Sequence, residues 1–337
     1  MRFSIQLIKR PAKITMLVGS AALALASAIT PMPAQNSIDD GSALVQHNTW
    51  SLGAPMPTPR MGAFTGAIGS KIYVVGGENN SNVLSVNEIY DTTTNKWLPD
   101  GAPMPTPRWL GASAVVKGIL YAMGGGVANG GTNVVEAYNP KTNQWSEKQM
   151  MPSLGGNIYA AVEKDIIYVI GGYSNGESLG AVWAYNPATD SWVQEASLIE
   201  AKRLSAVALL ESTIVAAGGL SNEGVTSDNE GYSAKTNKWK ELAPMTTASQ
   251  GPCFGGFTGL LYVAGGLGTG GNGDPLSTLQ AYSLKTNAWT TDLASMPDAA
   301  TNLGSAEVKG RLYCFGGSNN GNPFQGNIFN YVQIYQP

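Results

Sequence analysis

A hydrophobic run ends in a pair of glycines six times along this chain. The pairs recur at intervals of 48, 47, 47, 47 and 51 residues: Gly76-Gly77, Gly124-Gly125, Gly171-Gly172, Gly218-Gly219, Gly265-Gly266 and Gly316-Gly317. Five pairs are followed by a Tyr and, seven residues later, a Trp: Tyr90/Trp97, Tyr138/Trp145, Tyr185/Trp192, Tyr232/Trp239 and Tyr282/Trp289. A fixed period of this length indicates a repeat architecture, which constrains the fold more strongly than composition does.

Each unit contains the same order of strands and turns. A short apolar strand, such as residues 112–116, leads through a tight turn to a second strand that ends at the glycine pair. A polar loop of variable length precedes the third strand, which carries the Tyr, and a turn such as residues 138–145 leads into the fourth. Short strands bounded by turns of Asn, Asp, Pro and Gly, with no helical period, predict an all-β protein.

The glycine pair with its spaced Tyr and Trp resembles the kelch repeat, from about Trp50 to Pro337. The resemblance implies a six-bladed kelch-type β-propeller of four-stranded antiparallel blades around a central channel. The sixth unit has no Trp of its own, because Tyr335 lies two residues from the end. Trp50 precedes residues 54–60 as Trp97 precedes residues 102–108. We therefore expect the N-terminal strand to close the last blade and remove both exposed sheet edges.

The N-terminal residues have the composition of a secretory signal. Basic residues precede the apolar run 16–29, and small residues offer cleavage sites after Ala28 or Ala34. We expect residues 1–34 to be a signal peptide, a short linker to follow, and residues 44–337 to form a single propeller domain. The mature protein would then be exported, to the periplasm or the extracellular space. No later apolar run is long enough for a membrane span, so we expect no membrane insertion after cleavage.

Charge and composition restrict the possible partners. Residues 1–34 hold four basic side chains and no acidic ones, so the rest of the chain has 16 Lys and Arg against 23 Asp and Glu, a net charge of −7. Such a chain is a poor partner for a polyanion, and we expect no nucleic-acid binding. With 43% hydrophobic residues and 42 glycines, the composition is typical of a folded, turn-rich β-protein, which we expect to be a monomer.

Few side chains suit catalysis. His47 is the only histidine, and it lies before the closing strand without a placed partner. No spacing of ligands fits zinc, so we expect neither a metal nor another cofactor. The glycine-rich loop 268–274 superficially resembles a phosphate loop, but Pro275 and a strand follow where a dinucleotide site requires a helix.

Cys253 and Cys314 are the only cysteines, and in an exported chain they are candidates for a disulfide. Other units have small apolar residues where Cys314 stands: Val74, Ala122, Val169, Ala216 and Val263. That pattern favours two separate, buried core residues, with the disulfide as the alternative.

Polar residues before the first strand of each unit are the main candidates for a ligand site: Arg60, Arg108, Asn157, Arg203, Gln250 and Asn302. In a propeller these positions converge near the mouth of the channel, on the face that also carries the loops after the glycine pairs. Those loops add Glu78, Tyr173 and Glu223, and Trp109 would place an indole at the same mouth. The kelch resemblance also implies ligand binding at this face.

The residue types in this ring suit polar ligands. Arg offers a planar fork of donors to carboxylates, and Asn or Gln suits hydroxyl and amide groups. The alternative is that the Arg residues bond to loop carbonyls within the scaffold and that Trp109 packs between blades.

Two functions remain open from the sequence. One is a binding module for a peptide, protein or glycan, with no chemistry of its own. The other is a carbohydrate-active enzyme resembling the periplasmic sialic-acid mutarotases, in which Glu78, Glu223 or an Arg would supply general acid and base groups. The compact units, without the long insertions of those enzymes, favour the binding module, so we expect no catalysis.

Overall fold

The computed structural model of the protein describes residues 48–337, except 81, 129, 154, 271–272 and 321–325. All regular elements in this part are strands. In chain order they are β1 (Thr49–Leu52), β2 (Phe64–Ile68), β3 (Lys71–Val75), β4 (Glu78–Asn79), β5 (Asn82–Val83), β6 (Asn87–Asp91), β7 (Lys96–Gly101), β8 (Ala112–Val116), β9 (Ile119–Met123), β10 (Gly126–Val127), β11 (Gly130–Gly131), β12 (Val135–Asn139), β13 (Gln144–Lys148), β14 (Tyr159–Glu163), β15 (Ile166–Ile170), β16 (Tyr173–Ser174), β17 (Glu177–Ser178), β18 (Val182–Asn186), β19 (Ser191–Glu195), β20 (Lys202–Arg203), β21 (Ala206–Leu210), β22 (Thr213–Ala217), β23 (Leu220–Ser221), β24 (Asn229–Ser233), β25 (Lys238–Leu242), β26 (Cys253–Phe257), β27 (Leu260–Ala264), β28 (Leu279–Ser283), β29 (Ala288–Thr290), β30 (Gly304–Val308), β31 (Arg311–Phe315) and β32 (Val332–Gln336).

The expected signal peptide (residues 1–34), the linker after it and His47 lie outside the described residues. Export and the domain boundary at residue 44 therefore stay predictions. Within the described part, no helix is long and apolar enough to cross a membrane.

The strands form six four-stranded antiparallel blades, which confirms the predicted fold class. From the inner to the outer edge, the blades are β2-β3-β6-β7 (blade 1), β8-β9-β12-β13 (blade 2), β14-β15-β18-β19 (blade 3), β21-β22-β24-β25 (blade 4), β26-β27-β28-β29 (blade 5) and β30-β31-β32-β1 (blade 6). The remaining two-residue strands pair as β4-β5, β10-β11, β16-β17 and β20-β23. Each of these ladders includes a strand that directly follows a glycine pair. The ladders therefore lie on the face that carries the loops after the glycine pairs.

The N-terminal strand closes the ring, as predicted. In blade 6, β1 pairs with the C-terminal strand β32, and Trp50 stands opposite Tyr335. The same register places Trp97 opposite Tyr90 in blade 1. The Trp50 indole donates a hydrogen bond to the Ala294 carbonyl at 2.7 Å. One blade is therefore built from both ends of the propeller.

The glycine pairs bring neighbouring blades into backbone contact. Gly76 and Gly77 have φ values of +62° and +94°, and a Cβ on Gly76 would lie 2.6 Å from the carbonyl oxygen of Arg108 in blade 2. The second glycine of each pair donates its N–H to a carbonyl of the next blade. The six bonds are Gly77 to Arg108, Gly125 to Gly155, Gly172 to Lys202, Gly219 to Ser249, Gly266 to Ala300 and Gly317 to Arg60.

The Tyr and Trp of each unit hold the segment that arrives from the preceding blade. In blade 1 the Tyr90 hydroxyl and the Ala54 N–H both donate to Asn95 Oδ1, at 2.5 and 2.7 Å. The Trp97 indole donates to the Ala54 carbonyl at 2.9 Å. We call this arrangement the clasp. The corresponding sets are Tyr138/Asn143/Trp145, Tyr185/Asp190/Trp192, Tyr232/Asn237/Trp239, Tyr282/Asn287/Trp289 and Tyr335/Asn48/Trp50.

The hydrophobic core is divided among the blade interfaces. Six clusters of buried side chains lie between consecutive blades, and the cluster between blades 6 and 1 contains Phe315, Val332, Val74 and Tyr90. Every blade therefore buries both faces, and no blade has an independent core.

Cys253 and Cys314 form a disulfide, so the expectation of two separate core residues is wrong. Cys253 begins the inner strand of blade 5, and Cys314 lies on the second strand of blade 6, with Cα atoms 5.6 Å apart. Both residues are fully buried. The interface between two blades brings together residues separated by 61 positions in the chain.

Removing the Trp50 side chain should destabilise the whole propeller. We expect Trp50→Ala to lower the free energy of unfolding by about 3 kcal/mol, because it removes a large packed ring and an indole hydrogen bond. Urea unfolding followed by fluorescence would measure the change. Leu52→Ala, at a 60% exposed position of the same strand, is the control and should change stability little. Equal effects of both changes would contradict closure through Trp50.

The disulfide should contribute measurably to stability. Cys253→Ala with Cys314→Val reproduces the apolar pairs of other interfaces, such as Ala206 with Val263, and so limits cavity effects. We expect this variant to lose up to about 4 kcal/mol, because the cross-link no longer restricts the unfolded chain. Reductant should lower the urea midpoint of the parent protein and leave that of the variant unchanged. The protein is first unfolded in reductant, so that the buried disulfide is accessible, and then refolded. A parent protein whose midpoint does not change after this treatment would contradict the cross-link.

Candidate functional site

A closed ring of backbone hydrogen bonds surrounds the mouth of the channel. The residues two positions before each inner strand have positive φ: Gly62, Leu110, Asn157, Leu204, Gly251 and Asn302. Each donates its N–H to the carbonyl of the equivalent residue in the preceding blade, as Leu110 does to Gly62 at 2.8 Å. The bond from Gly62 to Asn302, also 2.8 Å, completes the ring. We call the residues four, three and two positions before each inner strand the pre-strand loop.

Arg60 and Arg108 do not line the mouth, contrary to the sequence-based prediction. Both occupy the fourth position before the inner strand, and they are 1% and 0% exposed. Arg108 donates to the carbonyls of Gly124 and Val134 at 2.9 and 2.8 Å and forms an ion pair with Glu136 at 2.7 Å. Arg60 forms the same kind of pair with Glu88, also at 2.7 Å. These two guanidinium groups belong to the scaffold.

Burial shifts the pKa values of the paired side chains. Desolvation lowers the pKa of Arg60 and Arg108, and the facing carboxylates act against that shift. Desolvation likewise raises the pKa of Glu88, opposed by Arg60. In blade 4, Lys202 takes the place of Arg and pairs with Glu230 at 2.9 Å.

The other four members of the predicted ring do gather at the mouth. Together with Trp109, they line a pocket of about 380 Å³, which we call the mouth pocket: Asn157, Arg203, Gln250 and Asn302. They come from blades 3, 4, 5, 6 and 2, so the pocket draws on five pre-strand loops. Arg203 and Gln250 occupy the third position before their strands, and Asn157 and Asn302 the second. Their role in binding stays a prediction.

A second pocket of about 440 Å³ adjoins the first between blades 2 and 3. It shares Trp109 and Asn157 with the mouth pocket and adds Tyr173 and the glycines of the β10-β11 hairpin. A Cβ on Gly126 would lie 2.5 Å from Trp109 Nε1, so the indole lies directly against the backbone of that glycine. The Tyr173 side chain is 38% exposed. The two pockets therefore form one concave surface with two accessible aromatic side chains.

Arg203 is held beside both pockets. Its guanidinium lies 4.1 Å from the centroid of the Tyr173 ring, and Nη1 donates to Ser178 Oγ at 3.0 Å. Burial lowers the pKa of Arg203, which still remains a cation at neutral pH. Within the described part of the chain, no carboxylate forms an ion pair with it.

Glu78 and Glu223 are not brought to these pockets. Glu78 is 3% exposed, and its backbone N–H and carbonyl bond to Met61. Glu223 is exposed in the turn after β23, where its N–H bonds to Ser221 Oγ. Neither residue is among the described residues that line the mouth pocket or its neighbour.

An aromatic contact across the channel was not predicted from the sequence. Tyr159 on the inner strand of blade 3 meets Phe254 on that of blade 5, edge to face, with centroids 5.1 Å apart. Burial raises the pKa of the Tyr159 hydroxyl. Elsewhere on the inner strands, the hydroxyls of Thr65, Ser113 and Ser305 form hydrogen bonds with the backbone of neighbouring blades. The sequence places these two aromatic residues on inner strands, which was the available signal. Whether they meet depends on the diameter of the ring, which the sequence does not give.

The described residues contain no group of three His, Cys, Asp or Glu side chains arranged to hold a metal ion. The described side chains that line the two pockets supply one cation, several amides, hydroxyl groups and two aromatic rings.

Comparison with known families agrees with this architecture. Residues 42–197 match the family described as the KLHDC2/KLHL20/DRC7 Kelch-repeats domain. Residues 251–297 match the family described as the Kelch motif. The first match spans blades 1 to 3, and the second covers all four strands of blade 5.

The buried ion pairs should be essential to stability. We expect Glu136→Gln to cost about 3 kcal/mol or more, because it leaves the Arg108 charge buried without a counter-ion. The exposed pair of Lys117 and Asp165 is the control, since Asp165→Asn should change stability by well under 1 kcal/mol. Chemical unfolding of both variants would measure the difference. Similar costs for the two changes would refute a scaffold role for Arg108.

Proposed function

Because the chain belongs to the kelch-repeat β-propeller family, we propose that it is an exported, monomeric binding module for a peptide segment of a protein partner. Kelch propellers generally mediate protein interactions. The ligand would lie across the mouth pocket and the adjoining pocket between blades 2 and 3.

The observation that carries this proposal is the position of Arg203. A guanidinium stacked on Tyr173 and without a carboxylate partner in the described structure has donors left for an anionic ligand group. Its planar fork matches a carboxylate in geometry and charge. A peptide with an acidic residue would place that carboxylate at Arg203, and the amides of Asn157 and Gln250 would bond to the peptide backbone.

The aromatic side chains would supply the apolar part of the affinity. Trp109 and Tyr173 are two accessible rings on one concave surface, and large aromatic residues dominate the energetics of many interfaces. Gly130 and Gly131 line the same pocket as Trp109, and a Cβ at either would meet no atom closer than 3.9 Å, so this side of the pocket has space for a side chain of the ligand. We therefore expect an acidic residue and a nearby apolar or aromatic residue in the bound segment.

Export is supported by the cysteines. Structural disulfides form and persist in oxidising compartments and are rare in reducing cytosol. Both cysteines of this chain form one buried cross-link. This pairing is consistent with the secretory features of residues 1–34.

The residues that line the two pockets favour a binding function over a mutarotase activity. That alternative assigns acid and base roles to Glu78 and Glu223, but the first is buried and the second lies outside the described pocket linings. The described lining residues of the two pockets include no carboxylate. Among the described lining residues, neither glutamate is therefore placed to act as a general acid or base.

Peptides selected from a random display library on the immobilised protein would test the proposal. We expect selected peptides to contain an acidic residue, and we expect Arg203→Gln and Trp109→Ala each to weaken binding at least about tenfold in calorimetry. Lys117→Gln, in an exposed turn at the opposite end of blade 2, should leave affinity unchanged. A parallel glycan array covers the other ligand class. Selected peptides that bind both variants normally, or saturable binding to glycans alone, would contradict the proposal.

A further inference from the structure

The end of the propeller opposite the mouth carries many exposed cations. The turns from the first to the second strand of a blade, and from the third to the fourth, lie at this end because the strands are antiparallel. In the consecutive blades 5, 6, 1 and 2, these turns and the strand residues beside them hold seven exposed Lys and Arg side chains. We call them the basic arc: Lys71, Lys96, Lys117, Lys141, Lys285, Lys309 and Arg311.

Few carboxylates oppose the basic arc. In the same turns and strand ends of these four blades, the described side-chain carboxylates are Asp91 and Glu307, and both are only partly exposed. Each accepts a hydrogen bond from a backbone N–H of its own turn, at 2.9 Å for Asp91 and 2.7 Å for Glu307. Among the arc lysines, Lys117 alone forms an ion pair in the described part of the chain, with the exposed Asp165. The charge of the arc is therefore largely unneutralised.

Comparison among the blades shows that the turns do not require these charges. The position of Lys117 holds Gly69 in blade 1, and the position of Lys96 holds Gln144 in blade 2. At the same end, blades 3 and 4 hold three exposed lysines and three exposed carboxylates: Lys164, Lys235, Lys238, Asp165, Asp190 and Glu211. The exposed charges of those two blades balance, so the net positive charge lies on one side of the ring.

The negative charge of the chain as a whole does not cancel the arc. Strands of five residues, roughly 17 Å long, separate this end from the mouth. The Debye length is about 8 Å at physiological ionic strength. Charges at the mouth are therefore screened from a partner that contacts the arc.

The form of the arc fits an extended anionic surface. Its cations are spread over the turns of four blades, so no single small anion can contact them all. None of the exposed large apolar side chains of the described chain lies in these turns, so the arc has no apolar anchor for a protein interface and no ring on which bases could stack. The described chain also enters the propeller at this end, because Asn48 accepts from the Tyr335 hydroxyl as Asn95 does from Tyr90. The segment predicted to enter the membrane during export is thus joined to the propeller on the side of the arc.

We propose that the basic arc binds the anionic headgroups of a phospholipid bilayer. Several lysines contact the surface at once, and their attractions add, because each basic residue near an anionic leaflet strengthens the binding. The contact is peripheral and involves no insertion of the propeller. Since the arc and the mouth lie at opposite ends of the strands, the mouth faces away from the membrane.

Sedimentation with lipid vesicles tests this surface directly. The probes are vesicles of phosphatidylcholine mixed with phosphatidylglycerol and vesicles of phosphatidylcholine alone. We expect the full chain to bind the anionic vesicles more tightly than the neutral ones, with a difference that shrinks as salt rises. An apolar segment would partition into both kinds of vesicle, so the difference between them reports the arc.

Matched variants separate the arc from net charge. One triple variant changes arc lysines of blades 1 and 2: Lys71→Gln, Lys96→Gln and Lys141→Gln. Its match removes the same charge from blades 3 and 4: Lys164→Gln, Lys235→Gln and Lys238→Gln. The first should weaken binding to anionic vesicles at least about tenfold, and the second less than about threefold.

Three outcomes would overturn the proposal: equal effects of the two triple variants, no preference for anionic vesicles, or binding to duplex DNA in place of anionic vesicles. Peptide binding at the mouth is independent of all three, because no residue of the basic arc is among the described residues that line the mouth pocket or its neighbour.

Discussion

Neighbouring blades are held at a fixed distance by backbone that only glycine allows. The second glycine of each pair donates to the next pre-strand loop, and a Cβ on Gly76 would lie 2.6 Å from the carbonyl of Arg108. A side chain there would push the blades apart. The clasp and the ring of bonds at the mouth both require this spacing, because each joins one blade to the next through atoms less than 3.2 Å apart. The glycine pairs therefore set the geometry on which the core, the channel and the mouth depend.

The features predicted correctly are those encoded within one unit. The spacing of Tyr90 and Trp97 reflects the clasp. The Trp97 indole donates to the Ala54 carbonyl, and the Tyr90 hydroxyl donates to Asn95 Oδ1, which also accepts the Ala54 N–H. Closure through Trp50 follows from the same repeat. The disulfide was only the alternative in the sequence-based prediction, because the residues at the position of Cys314 in the other units are small and apolar. Its formation depends on the register between blades 5 and 6, which no single unit contains.

The candidate site was predicted in part, for a similar reason. The residues predicted to form one ring occupy three consecutive positions of the pre-strand loop, and the loop turns sharply where φ is positive. The fourth position before the strand points into the blade, as Arg108 does, while the third, as in Arg203, reaches the mouth. A shift of one residue thus exchanges a buried ion pair for an accessible cation. Sequence spacing accurate to one or two residues cannot make that distinction.

The pockets lie where individual blades depart from the repeat. In blades 1, 2 and 4 a cation of the pre-strand loop pairs with a carboxylate on the third strand, and in blades 5 and 6 Gln280 and Gln333 bond to loop backbone instead. Blade 3 has Gly155 and Trp183 at these two places, and the pocket beside Trp109 opens next to that loop. Because the repeat uses these cations, carboxylates and amides in bonds within their own blades, the free energy for binding has to come from residues outside those bonds.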